Sequence, residues 1–133
     1  MQDPSDPGDM LKWIESELSQ SEKIGQKVYL IGHIPPKSNL NDWAIRFNAI
    51  VDRYAYIIRG QFYGHTHSDH VSFFPQMKDK ANVSTAALSN YYLVSPSLTT
   101  YSDRIPEYRV MDVDFDTLQV IDYSQYRYEI YYF

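Results

Sequence analysis

A chain of 133 residues, 44% of them hydrophobic and 16% aromatic, has the length and composition of one folded domain. Its net charge of −5, without any lysine and arginine cluster, argues against a nucleic-acid duplex as a partner. The sequence has no transmembrane segment, no signal-peptide core and no cysteine, which excludes disulfides and thiolate chemistry.

The chain opens with a predicted amphipathic helix. Asp6 is placed to cap its N-terminus, Pro7 suits its first position, and Gly25 suits its end. The apolar stripe is expected to pack on a sheet, and it comprises Leu11, Ile14 and Leu18, widened by Met10 and Trp13.

A strand, a helix and a second strand follow. The first strand runs from Lys27 to Ile31, and the two prolines of Gly32-His33-Ile34-Pro35-Pro36 terminate it. Asn41 or Asp42 is expected to cap the second helix. Gly60 should then break the pattern before the strand Gln61-Phe62-Tyr63. The apolar face of the second helix comprises Trp43, Phe47, Ile50, Val51 and Tyr54, and core packing is expected for it.

The second half of the chain predicts mostly strands. These cover residues 71–74, 88–94, 108–115 and 118–126, with a hairpin turn at Asp116-Thr117. In the strand 108–115, Met111, Val113 and Phe115 share one face, and Asp112 and Asp114 share the other with Val110. This alternation is typical of an antiparallel strand with one solvated face.

Three of the four histidines fall in two short segments that each follow a predicted strand. They are His33 in Gly32-His33 and the pair in Gly64-His65-Thr66-His67. In an α/β unit both segments would lie at carboxyl ends of strands, where a rigid element can present a metal ligand. The fourth, His70, stands beside Asp69 and is expected to be solvated.

The spacing of His65 and His67 leaves two arrangements open. In an extended strand the two side chains would share a face, whereas in a tight turn they would diverge toward two neighbouring ions. Neutral imidazole is a good zinc ligand, and three imidazoles can hold one zinc with an open position for water. The nearby carboxylates are Asp42, Asp52 and Asp69. A position on a helix or in an exposed loop explains each of them without a metal ion.

Taken together, these segments carry a family resemblance. Gly32-His33-Ile34-Pro35-Pro36 followed by Gln61-Phe62-Tyr63-Gly64-His65-Thr66-His67 resembles the carboxyl-terminal half of calcineurin-like metallophosphoesterases. The branch with the best match is the acid sphingomyelinase and acid sphingomyelinase-like phosphodiesterase family. Further matching segments are Asp6-Pro7, Ile50-Val51-Asp52-Arg53-Tyr54, Ser95-Pro96-Ser97-Leu98-Thr99-Thr100-Tyr101 and Tyr108-Arg109-Val110.

The resemblance implies an α/β fold, part of a four-layer sandwich of helices flanking two mixed sheets, with residues 1–133 as the carboxyl-terminal half of that domain. It implies two zinc ions, with His33 and His65 on one and His67 on the other, which hold a phosphodiester and activate a hydroxide. Tyr101 would line the substrate site, and Thr66 would set the loop geometry. The substrate would be a sphingolipid or a nucleotide.

The resemblance also implies a secreted or lysosomal protein. Asn82 of Asn82-Val83-Ser84 is a candidate glycosylation site, and an unmodified polar loop is the equally favoured alternative. The family's Asp-x-His, Gly-Asp-x-x-Asp and Asn-His motifs are missing from the 133 residues. Since these supply the bridging carboxylate and the proton donor, we expect a fragment with weak metal binding, no catalytic residue of its own and negligible turnover.

The sequence also allows two alternatives to the phosphodiesterase hypothesis. One is a non-catalytic binding or structural product of a truncated gene, which would pair with an intact homologue through an open sheet edge. The other is an amidohydrolase barrel, which also uses a His-x-His pair, but 133 residues are too few to build the barrel. The second alternative is therefore set aside.

Overall fold

The computed structural model describes residues 3–75 and 88–130, which form a mixed α/β fold. Asn82 lies outside the described residues. None of the helices within these two ranges is long and apolar enough to cross a bilayer. The elements in chain order are α1 (Met10–Lys23), β1 (Val28–Ile31), α2 (Asn41–Arg53), β2 (Ile58–Tyr63), β3 (His70–Pro75), β4 (Leu88–Val94), β5 (Glu107–Val113) and β6 (Val120–Arg127), with short 3-10 helices at Pro7–Asp9 and Pro36–Ser38.

The four strands β1 to β4 form one mixed sheet in the order β1-β2-β4-β3. β1, β2 and β4 run parallel, and β3 runs antiparallel to β4. β5 and β6 form a separate antiparallel hairpin. The predicted α/β class is confirmed, and the four-layer sandwich stays a prediction. The carboxyl ends of the three parallel strands meet at one edge of the sheet, which places the loops after them side by side.

The core lies between the sheet and the two helices. Leu11 and Leu18 of α1 and Phe47 and Val51 of α2 are buried in it, and Ile14 packs against them. The apolar faces predicted for both helices are therefore confirmed in their central residues. The predicted widening of the α1 stripe is wrong, because Met10 is 48% and Trp13 59% exposed. At about 100° per residue, Trp13 points more than 100° away from the centre of the stripe.

The first helix starts later than predicted. A kink with positive φ at Gly8 (73°) and Asp9 (53°) separates Pro7 from α1, so Pro7 does not occupy the first α-helical position. Asp6 still caps the helix, since its buried carboxylate accepts hydrogen bonds from the N–H groups of Leu11 (2.7 Å) and Lys12 (3.1 Å). The carboxylate thus satisfies two of the orphan donors of the first turn.

The predicted end of α1 is correct, and the predicted N-cap of α2 is wrong. Gly25, with φ 71°, ends α1 in a Schellman motif in which its N–H donates to Glu22 and that of Gln26 donates to Ser21. Neither Asn41 nor Asp42 caps α2. The N-cap residue is Leu40, which makes no side-chain cap, and both polar residues lie inside the first turn.

Gly60 does not break the sheet as predicted but lies inside β2. A Cβ added at this position would stand 3.0 Å from Cζ of Phe62 and 3.3 Å from Cδ1 of Tyr29. The missing side chain therefore makes room for two aromatic rings on the sheet face away from the helices, where the centroids of Tyr29 and Phe62 are 5.9 Å apart.

The turn between β5 and β6 is longer than predicted. Phe115 and Leu118, both assigned to strands from the sequence, lie in the connection, and Phe115 is 92% exposed. The carboxylate of Asp114 accepts hydrogen bonds from the N–H (2.7 Å) and the hydroxyl (2.6 Å) of Thr117, and Leu118 has φ 58°. Side-chain capping of the backbone ends the alternation that the sequence extended to Phe115.

Candidate metal centre

The two histidine-bearing loops follow neighbouring parallel strands and are joined through main-chain atoms. The N–H of Gly32 donates to the carbonyl of Phe62 in β2, and the N–H of Gly64 donates to the carbonyl of His33, both at 3.0 Å. The ladder between β1 and β2 thus continues by two hydrogen bonds into the loops. The predicted position of the histidines at carboxyl ends of adjacent strands is confirmed.

His33 and His65 lie next to each other at this edge. Their ring centroids are 5.2 Å apart with an interplanar angle of 78°, and both side chains are exposed. An ion about 2.1 Å from one nitrogen of each ring, with tetrahedral geometry, sets the ring centres roughly 5 Å apart. The observed spacing therefore fits two imidazole ligands of one zinc ion.

His67 turns away from that pair. Both His65 (φ 72°) and His67 (φ 54°) have left-handed backbone conformations, so the segment is a tight turn rather than an extended strand. The ring of His67 lies against Tyr101, with centroids 5.7 Å apart and an interplanar angle of 77°. Of the two backbone arrangements left open by the sequence, the structure has the tight turn.

Three histidines therefore do not converge on a single point. Among the residues described, no group of three or more histidine, cysteine, aspartate or glutamate side chains is arranged to hold a metal ion. The rings of His33 and His65 lie together, and the ring of His67 lies against Tyr101. The donor set suits zinc chemically, but each group would need further ligands to complete a tetrahedral site.

Thr66 is hydrogen-bonded within the turn. Its N–H donates to the carbonyl of Gly64 at 2.9 Å, and its hydroxyl accepts from the N–H of Ser68 at 3.4 Å. The hydroxyl of Ser68 donates back to the carbonyl of Thr66 at 3.2 Å. These contacts agree with the geometric role predicted for Thr66.

A buried polar network lies beneath the histidine loops. Gln61 is fully buried, accepts a hydrogen bond from the hydroxyl of Tyr63 (3.2 Å) and donates to Asn90 of β4 (3.1 Å). Burial raises the pKa of the Tyr63 phenol well above its usual range, so it stays a neutral donor. The Tyr63 ring also packs under Gly32, where an added Cβ would stand 2.8 Å from its Cε1.

His70 differs from the prediction. It begins β3 opposite Val94 and is partly buried rather than fully solvated. The sequence placed it in the loop because it stands beside Asp69, whereas the antiparallel pairing with β4 draws it into the sheet.

Asp69 forms an ion pair with Arg109 of β5, and sequence reasoning missed this contact. The two residues are forty positions apart, and each looks ordinary alone: an acid in a loop and a base in a strand. Only the docking of the hairpin near the histidine turn brings them together. No local pattern in the sequence signals the pair.

The chain is homologous to one segment of the sphingomyelin phosphodiesterases. It is 40% identical over 125 residues to sphingomyelin phosphodiesterase B of Dictyostelium discoideum, covering 92% of this chain and 20% of that protein. It is 38% identical over 110 residues to sphingomyelin phosphodiesterase of Bos taurus (83% and 17%). It is also 31% identical over 138 aligned positions to acid sphingomyelinase-like phosphodiesterase 3b of Homo sapiens (93% and 30%).

The matches confirm the resemblance seen in the sequence for the sphingomyelinase branch. The chain spans about a fifth of the length of the first of these curated relatives. No family model matches the chain.

Proposed function

We propose that this chain forms part of the catalytic domain of a zinc-dependent phosphodiesterase of the calcineurin-like class. The observation that carries the proposal is the placement of His33 and His65, 5.2 Å apart between ring centroids, at the carboxyl ends of adjacent parallel strands. The homology to sphingomyelin phosphodiesterases supports the same reaction class.

The positions of the three histidine rings fit two separate metal positions better than one shared position. His33 and His65 would hold one zinc ion, and His67, which turns toward Tyr101, would hold the second. A zinc pair, when bound, supplies Lewis-acid stabilisation of a phosphoryl group and a water molecule of lowered pKa. The chain's own contribution is to fix three imidazoles on a rigid strand edge, which limits the reorganisation needed on binding.

Tyr101 is assigned to the substrate side of the site. Its side chain is 72% exposed, and its ring contacts that of His67, so its phenol stands free beside a ligand position. The substrate class follows from the relatives' names, since sphingomyelin is a phosphodiester lipid, and a nucleotide diester remains the alternative. A secreted or lysosomal location, with glycosylation at Asn82, completes the proposal.

The ligand count sets a limit on what the chain does alone. The motifs that supply the bridging carboxylate and the proton donor in this family do not occur in its 133 residues. We therefore expect weak zinc binding and negligible phosphodiester hydrolysis by the isolated chain. The full activity would require further segments of the kind present in the longer relatives.

Zinc titration calorimetry on the purified chain tests the ligand assignment. Alanine replacement of His33, of His65 or of His67 is expected to weaken zinc binding by tenfold or more, and His70→Ala is the matched control that should leave it unchanged. Equal effects of His70→Ala and the other three would reject the assignment. Rapid turnover of sphingomyelin or of bis(p-nitrophenyl) phosphate by the isolated chain would reject the expected inactivity.

A second candidate function is non-catalytic binding through the edge of the sheet. In the described part of the chain, β1 has a hydrogen-bonded neighbour on one side only, and its Ile31 is 84% exposed. A groove of about 820 Å³ runs beside it, lined largely by apolar side chains that include Trp13, Ile14, Ile34 and Trp43. Size-exclusion chromatography with light scattering tests self-pairing, which Ile31→Lys should abolish.

A further inference from the structure

An ion pair ties the turn that carries His65 and His67 to the β5-β6 hairpin. The carboxylate of Asp69, two residues after His67, contacts the guanidinium of Arg109 in β5. The side chain of Arg109 is only 2% exposed, whereas that of Asp69 is 41% exposed. The cation is thus fixed in the hairpin, and the carboxylate reaches it from the loop.

Arg109 is oriented by its own hairpin and not by the loop. Its Nε and Nη2 donate to Oε1 of Gln125 at 3.1 and 2.7 Å, across the strand pair. Its guanidinium carbon also lies 4.3 Å from the centroid of the Tyr123 ring. Nη2 keeps a second N–H after its bond to Gln125, and it is the nitrogen that contacts Asp69.

The turn needs such an external anchor. His65 and His67 both have positive φ, a conformation that non-glycine residues keep only where the surroundings hold them there. Within the turn, the contacts of Thr66 with Gly64 and Ser68 are short-range and fix the backbone up to Ser68. After Ser68, the Asp69–Arg109 ion pair and the start of β3 fix the direction in which the chain leaves the turn.

We propose that Arg109 is a positioning residue that acts through Asp69 to hold His67 against Tyr101 and away from the His33–His65 pair. The proposal rests on the proposed function in so far as His67 is a ligand. Arg109 contacts Asp69, Gln125 and Tyr123, and it acts on His67 through Asp69. It decides whether the two ligand groups of the turn stay apart, which a two-ion site requires.

Nuclear magnetic resonance of the metal-free, chelator-treated chain tests the positioning by itself. The T-shaped contacts of His67 with Tyr101 and of His33 with His65 should each give a nuclear Overhauser effect between ring protons. In Arg109→Gln and in Asp69→Asn we expect the His67–Tyr101 effect to disappear and the His33–His65 effect to persist. Arg109→Lys, which keeps the charge next to Asp69, should retain it at least in part.

Arg53→Gln is the matched control. Arg53 also pairs with a carboxylate, that of Glu22 at 2.8 Å, but that pair joins α2 to α1 and includes neither the hairpin nor the histidine turn. Its loss should leave both ring contacts intact. If Arg109→Gln disrupts the hairpin, Asp69→Asn still decides, because it removes the loop side of the ion pair and keeps the contacts of Arg109 with Gln125 and Tyr123. A His67–Tyr101 contact that survives Asp69→Asn in the folded chain overturns the proposal.

Zinc titration followed on the histidine ring resonances separates this proposal from the proposed function. Arg109→Gln should weaken zinc binding at His67 about tenfold, the lower end of what loss of a supporting contact costs. Binding at His33 and His65 should change by less than about twofold. An equal loss at all three histidines overturns the positioning role. No zinc uptake by the unaltered chain overturns the assignment of the three histidines as zinc ligands and leaves the metal-free result to decide the positioning.

Discussion

The N–H of Gly64 donates a hydrogen bond of 3.0 Å to the carbonyl oxygen of His33, so the two histidine loops are joined through backbone atoms. This bond extends the ladder of β1 and β2 by one step beyond the strands. The spacing of the His33 and His65 rings is therefore set by sheet register, which side-chain rotamers alone would not fix. Changes that shift this register should therefore change the spacing of the two rings.

The first prediction concerns Gly32. An alanine there would place its Cβ 2.8 Å from Cε1 of Tyr63, whose ring is buried, so we expect a loss of about 1–3 kcal/mol in the free energy of unfolding. Gly64→Ala is the control, because its Cβ would meet Nδ1 of His33 at an ordinary 3.8 Å. Urea denaturation measures both, and equal midpoints would contradict the expected clash.

The second prediction concerns the buried hydroxyl of Tyr63. Tyr63→Phe removes the donor to the side-chain oxygen of Gln61, which is fully buried, and should cost about 1 kcal/mol. Tyr108→Phe is a suitable control because Tyr108 is half exposed on the hairpin. Comparison of their urea midpoints gives the difference. A neutral Tyr63→Phe would mean that this hydrogen bond adds nothing to stability.

The third prediction concerns the cap of α1. Asp6→Ala leaves the N–H groups of Leu11 and Lys12 without their acceptor in a buried setting, which should cost about 1–2 kcal/mol. Asp9→Asn should have little effect, because Asp9 makes no side-chain cap and asparagine tolerates its positive φ. Thermal unfolding followed by circular dichroism compares the two. The reverse order would show that Asp9 is the true cap.

The fourth prediction concerns the pH dependence of the hairpin turn. Hydrogen bonds from the hydroxyl and then the N–H of Thr117 hold the pKa of Asp114 below its ordinary value of 3.8. Because the folded pKa is the lower one, this contribution is present above about pH 4 and is lost as the pH falls through the folded pKa. Thr117→Val removes the hydroxyl and should raise the pKa of Asp114 toward 3.8, measured by its carboxyl carbon shift. An unchanged pKa would exclude the hydroxyl as the main cause.

Local sequence patterns were sufficient to predict the helices and strands and to identify the histidines of the candidate metal centre. The periodicity of α2 predicted its buried face, and the β-branched runs before Gly32 and Gly64 predicted strands that the structure contains. Local patterns gave wrong predictions where a contact with a residue distant in sequence decides the local structure. Gly60 looked like a strand break until the rings of Tyr29 and Phe62 were seen to fill the space above it.

By itself, the sequence determined the α/β class, the three histidines at strand ends and the homology to sphingomyelin phosphodiesterases, because each depends on short-range periodicity or on the spacing of residue types within a segment. The tertiary structure alone decided which histidines meet. Sheet register brings His33 to His65, and the left-handed turn sends His67 to Tyr101. It also decided the Asp69–Arg109 pair, since a contact between residues forty positions apart follows from how the hairpin docks and from no property of either residue alone.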